Sequence, residues 1–215
     1  MQTTEDLSSD DRFQQLGKSY LDRFTALSPV YATYLGDHRY DGELDEVGED
    51  ARARTTAFCL EYLERLEALP REKLSQANRI DAILLEHELR KTLWRLEVLQ
   101  EWAWNPLGYT DLCGRAIYSL MARDFAPIAK RLSSVADRLE KLPRLLEQVR
   151  GTLVAKRIPK IHAETAVRQN KGVLSILDNM VVPHLDQLGK AERGGLEAAM
   201  KTARAAIDKH QEWLE

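Results

Sequence analysis

The chain has 215 residues and a net charge of −3, with 31 basic and 34 acidic side chains. Hydrophobic residues are 44% and charged residues 30%, the balance of a globular protein rather than a disordered one. The two signs of charge are interspersed, which excludes the basic patch of a nucleic-acid binder and the polybasic stripe of a membrane-surface protein.

Apolar residues recur at helical spacing almost throughout. Phe13, Leu16, Tyr20, Phe24 and Leu27 fall on one stripe and predict a first helix. Ser28-Pro29 is a new start signal, a capping hydroxyl before a proline at the first helical position. Val30 to Leu35 then makes a short helix, with Gly36 as its stop. A helix from Glu49 to Leu69 is expected next, with Phe58, Tyr62, Leu66 and Leu69 inward, ended by Pro70. Ser75 can cap a long helix running to Gln100. That helix is apolar on more than one side, through Ile80, Ile83, Leu84 and Trp94 but also Leu85, Leu89, Leu93 and Leu96, which predicts a central position. The segment EWAWNPLGYTDLCGR reads as irregular, because Asn105-Pro106 and Gly108 are turn formers.

Helical spacing resumes over Ile117 to Met121, and Asp124 can cap the following helix, which carries Ile128, Leu132, Val135, Leu139 and Leu142 up to Pro143. Leu145, Val149 and Leu153 keep the period beyond it. Pro159 opens a helix through His162, Ala166, Val173, Leu177 and Met180, which Pro183 interrupts, and a last helix starts at Lys190. The expectation is an all-α protein, an antiparallel multi-helix bundle of long helices. No linker rich in Ser, Gly or Pro divides residues 1–215, so one domain is expected.

The search for chemistry excludes more than it finds. Cys59 and Cys113 form no CxxC pair, and two reduced thiols fit a cytoplasmic protein. The start MQTTEDLSSDDRF is too acidic and polar for a secretory signal. No apolar run approaches the ~18 residues of a membrane span. In EHELRK, a helical HExxH zinc site would need a second histidine where Lys91 stands. His87 reads instead as a core-edge residue bonded to a neighbour, and His184 and His210 read as turn and surface residues. His162 and Glu164 point too far apart on a helix for one ion.

The informative stretch is LGDHRYDGELDE. Asp37 and Asp41 can bond to the backbone of the turn, Arg39 can pair with either, and Tyr40 can anchor the loop. A structural turn accounts for every residue, and a ligand-facing loop is the alternative. The candidate cleft-lining or ligand residues are therefore His38, Arg39, Tyr40 and Asp41, with Trp104 and Tyr109 from the aromatic cluster that also includes Trp102. No catalytic or metal residue is assigned.

ALSPVYATYLGDHRYDGELDE, followed in order by RIDAILLEHEL, NPLGY, ARDFAPIAKRLSSVADRLEKLP and PKIHAETAVRQNKGVL, resembles the N-terminal half of the bacterial family known as domain of unknown function 885. Members of that family are usually longer and resemble zincin-type metallopeptidases whose His-Glu zinc motif lies in the C-terminal half. The resemblance implies zinc for full-length members, and no cofactor or catalytic residue for this chain. It implies either a fragment of a longer enzyme or a shortened stand-alone relative. The expected partner is the missing C-terminal half, or a second copy held through an exposed apolar face, with no nucleic acid and no membrane.

Overall fold

The computed structural model describes residues 7–215. It is all-α, as expected, with eight α-helices and no strand among the described residues. Contacts group the chain into two compact units. One holds the chain up to Leu27 together with Glu49–Glu101, and the other holds Ser28–Gly48 and Trp102–Glu215. No linker sequence marks the divisions.

The first unit contains α1 (Ser9–Leu27), α3 (Glu49–Glu67) and α4 (Gln76–Trp94). Ser8 and Asp11 form a reciprocal cap at the start of α1. The predicted stripes meet as an aromatic core, with the Tyr20 ring packed on Phe24, Phe58 and Tyr62. Ser75 caps α4 by accepting from the Asn78 N–H, as its position predicts. The end of α4 differs from the expectation. Regular helix stops at Trp94, a π-helical turn follows over Arg95–Leu99, and Gln100 closes it in the left-handed region at φ 50°.

The position of α4 is also corrected. Only Ala82 and Leu89 are buried on it, while Ile80, Ile83, Leu84 and Trp94 are more than half exposed. Three helices cover one face of each other, so the second apolar stripe of α4 is left open. His87 lies on that open face and is not a core-edge residue.

The second unit contains α2 (Pro29–Leu35), α5 (Pro106–Met121), α6 (Ile128–Thr152), α7 (Lys160–Ile176) and α8 (Lys190–Leu214). Its core runs along α6, which buries Leu132, Val135, Leu139, Leu142, Leu145, Leu146 and Val149, largely against α8 and α5. Asn105-Pro106 starts a helix here rather than a turn. The Asn105 side chain accepts from the Leu107 N–H and Pro106 takes the first position, so Gly108 lies inside α5.

Pro143 does not end a helix. It sits inside α6, where its missing N–H costs about 3 kcal/mol. Aliphatic burial on both sides of it, each side chain stabilising by roughly 1.5–3 kcal/mol, keeps the rod continuous. Asp124 is no cap either, because α6 begins four residues later and Asp124 instead accepts from Arg131 at 2.7 Å. Helix α7 opens after Pro159 and yields at Leu177 to a π-helical turn, ahead of Pro183. His210 is not a surface residue; it is 2% exposed within α8. No helix among the described residues is long and apolar enough to cross a membrane.

Candidate functional site: the His38–Asp41 corner

The Gly36–Gly48 loop begins where α2 is stopped. Gly36 adopts φ 90°, a conformation open to glycine at little cost, and its N–H closes on the Thr33 carbonyl at 3.1 Å. Asp37 then caps the next turn by accepting from the Arg39 N–H at 3.2 Å. It also accepts from two of the Arg39 side-chain nitrogens, Nε at 2.9 Å and Nη2 at 2.7 Å. Of the two pairings open to Arg39, the Asp37 one forms. The guanidinium also lies over the Tyr40 ring at 5.4 Å.

Asp41 turns inward. It is buried and accepts from the Thr33 hydroxyl at 2.7 Å and from His38 Nδ1 at 3.0 Å. That contact turns the Nδ1 edge of the His38 ring toward the carboxylate. The opposite support is Phe125, whose ring stacks on His38 with centroids 3.7 Å apart and planes 12° apart. The side chain of His38 stays one-third exposed, at 33%.

Behind this corner stands Arg138 of α6, which is 1% exposed. Its guanidinium donates to the carbonyls of Glu43 at 2.9 Å, Ala116 at 2.8 Å and Pro29 at 3.3 Å. It also donates to the hydroxyls of Thr33 at 2.7 Å and Ser119 at 3.4 Å. Burial pulls its pKa down to about 10, and the charges of Asp41, Asp45 and Glu43 oppose the fall. Asp45 accepts from the Val30 N–H at 2.9 Å at the start of α2, and burial pushes its carboxyl above the ordinary range.

The loop beyond Asp41 lies lengthwise on α6. Lys141 reaches the Gly42 carbonyl at 2.6 Å, and Arg144 pairs with Glu46 at 3.0 Å. The Gln148 side chain accepts from the Val47 N–H at 3.0 Å, and Thr152 donates to the Val47 carbonyl at 3.3 Å. These residues rise along one face of α6 at three- and four-residue steps. The approach is close at Gly42, where an added Cβ would stand 2.7 Å from the Asp137 carboxylate.

Trp104 and Tyr109 belong to a different corner of the second unit. The Tyr109 hydroxyl donates to the Trp102 carbonyl at 2.8 Å, and the ring is buried. Trp104 is half-buried with its ring 5.6 Å from that of His162. The four loop residues are thus brought together, while the contacts described for Tyr109 and Trp104 are with Trp102 and His162.

The residues that the sequence did not single out are Thr33, Asp45, Phe125 and Arg138. A signal existed for Arg138. It falls on the apolar period of Val135, Leu139 and Leu142, where a charge is out of place.

A concavity of about 320 Å3 lies between α5 and α7, lined by Asp111, Gly114, Arg115, Tyr118, Gln169 and Gly172 among others. Chemically, the His38 corner offers one oriented imidazole. Among the described residues no group of three His, Cys, Asp or Glu side chains is placed to hold a metal ion.

The comparisons with known proteins agree with this architecture. A solved structure from Shewanella oneidensis, described as a "putative lipoprotein of unknown function", superposes with a TM-score of 0.88 at 29% identity, over 94% of this chain and 37% of that one. The chain thus spans a little over a third of the length of that protein. No curated protein matches it. The family model for a bacterial protein of unknown function, DUF885, matches residues 29–215, which take in α2, the His38 corner and all of α5 to α8. The chain belongs to the DUF885 family of bacterial proteins.

Proposed function

We propose that this chain is the helical wall of a larger peptidase-like hydrolase and is not catalytic by itself. The observation that carries the reading is one of proportion: the fold uses 94% of this chain and 37% of the Shewanella protein. Such a wall needs rigid corners that present polar groups to a cleft. The His38–Asp41 turn, held by Arg138 and Phe125, has that rigidity, with His38 and Tyr40 at its edge and Trp104 and Tyr109 as further candidate lining residues. A cytoplasmic location is part of the proposal, supported by two cysteines that are both free and buried.

The test is direct. The purified chain is dialysed, analysed for zinc, and incubated with a mixture of short peptides under mass-spectrometric readout. The expected result is neither stoichiometric zinc nor cleavage. Turnover by the pure chain, abolished by a chelator, would overturn the reading.

A further inference from the structure

We propose that the end of the second unit where α6, α7 and α8 meet binds an oxyanion, a carboxylate or phosphate group, with Arg150 as its anchor and His210 beside it. The site is independent of the cleft-wall reading. Among the described residues, three buried side-chain nitrogens have no hydrogen-bond partner: Arg150 Nη1, His162 Nδ1 and His210 Nδ1. All three lie at the same end of the same unit.

Topology brings them there. Asn170 of α7 donates to the Ile207 carbonyl and to the Gln211 side chain of α8, both at 3.1 Å. Further along α7's direction, Asp178 pairs with Arg204. Later residues on the α7 side therefore meet earlier residues of α8, and the start of α7 lies at the end of α8. Only residues 153–159 separate α6 from α7, which brings the last turn of α6 to that end as well. His210 is buried there, with Trp213 stacked on its ring at 5.8 Å between centroids. His162 is half-buried beside Trp104.

What these groups lack is negative charge. A guanidinium stays charged, and its donors cost free energy when they are buried without acceptors. Arg150 forms no ion pair among the described residues, and Glu147, Glu164 and Glu212 in the neighbouring turns leave it unpaired. From Arg150 to Lys160 the chain carries four cations, Arg150, Lys156, Arg157 and Lys160, and no acid. His210 is near enough to feel the guanidinium: burial first, and the charge of Arg150 second, lower its pKa to about 4. An oxyanion seated against Arg150 offsets that charge and accepts from its free nitrogen. A cation is a poor fit, because Arg150 repels it and no group of three His, Cys, Asp or Glu side chains among the described residues is placed to hold one.

Imidazole NMR of the whole chain tests this. His210 is titrated at constant ionic strength in chloride, in formate and in inorganic phosphate, with a thermal melt in each. In formate or phosphate the His210 pKa should rise by about one unit over its value in chloride. The melting temperature should rise with it and saturate in the millimolar range. Arg150→Met should abolish both responses and raise the His210 pKa in chloride. Arg150→Lys keeps the charge without the planar fork and should weaken anion binding by about tenfold; it carries the test should Arg150→Met fail to fold by circular dichroism. A response to either anion supports the site, and the stronger of the two names the group it takes. Indifference of His210 and of the melting temperature to both anions overturns the proposal. So does a response that survives Arg150→Met or is unchanged in Arg150→Lys, which marks a general salt effect.

Discussion

Arg138 of α6 donates to the Thr33 hydroxyl of α2 at 2.7 Å, across 105 positions of sequence. That hydroxyl donates onward to Asp41 at 2.7 Å, so a single oxygen joins a buried cation to a buried carboxylate. The arrangement is saturated on the arginine side, where Nε, Nη1 and Nη2 all find acceptors.

Replacing Arg138 by leucine takes the side-chain donor from the Glu43 carbonyl and removes the buried charge that faces Asp41 and Asp45. Removing one member of a buried ionic set costs about 3–5 kcal/mol. Urea unfolding should report a loss of that size. Arg138→Lys should recover only part of it, since one ammonium cannot reach acceptors spread around a planar fork.

Gly42→Ala places a methyl where the Asp137 carboxylate stands, at 2.7 Å. Asp137 is exposed and can swing away, so the loss of stability should be small, below about 1 kcal/mol. Adding Asp137→Ala removes the obstacle. The double variant should be more stable than Gly42→Ala alone, and a thermal-melt double-mutant cycle reads the coupling.

His210 gives the second unit a dependence on acid. Burial, and then the nearby charge of Arg150, lower its pKa from 6.5 to about 4. Its Nδ1 has no acceptor among the described residues to hold an added proton. The unfolded chain takes that proton first, so stability is complete above about pH 6.5 and declines as the pH falls toward 4. The decline should be on the order of 3 kcal/mol by the lower end of that window. Urea melts across the range should show it, and His210→Phe should remove most of the slope.

The two thiols should be silent in the native protein. Burial raises Cys113 to about 12, and burial with the charge of Glu88 raises Cys59 to about 11. A thiol-reactive chromophore at mildly alkaline pH is expected to label neither until denaturant is added, when both react.

Legibility in the sequence followed the range of the interaction. The stripe from Phe13 to Leu27, the Ser75 cap and the Gly36 stop depend on neighbours within a turn or two, and all three appear where the spacing puts them. Pro143 was misread because its local penalty is overruled by burial against α5 and α8. Asn105-Pro106 suits either a turn or a helix start, and only the polar bond to the Leu107 N–H decides between them. At the His38 corner the bond to Asp41 is a three-residue step and was within reach of sequence reasoning. Phe125 and Arg138 come from distant elements, and no local pattern pairs them with the loop.

The dependence of residues 28–48 on α6 has a consequence during synthesis. The chain leaves the first unit after Leu27 and rejoins it at Glu49, while the carbonyls of Glu43, Gly42 and Val47 in the intervening segment find side-chain donors at Arg138, Lys141 and Thr152 of α6. The Glu43 carbonyl waits for a donor 95 residues later. At roughly 5–20 residues per second the ribosome needs about 5–20 s to supply it. For that interval Asp41 and Asp45 must stay hydrated, and their acidity, by keeping the nascent segment in water, delays its burial until the arginine emerges.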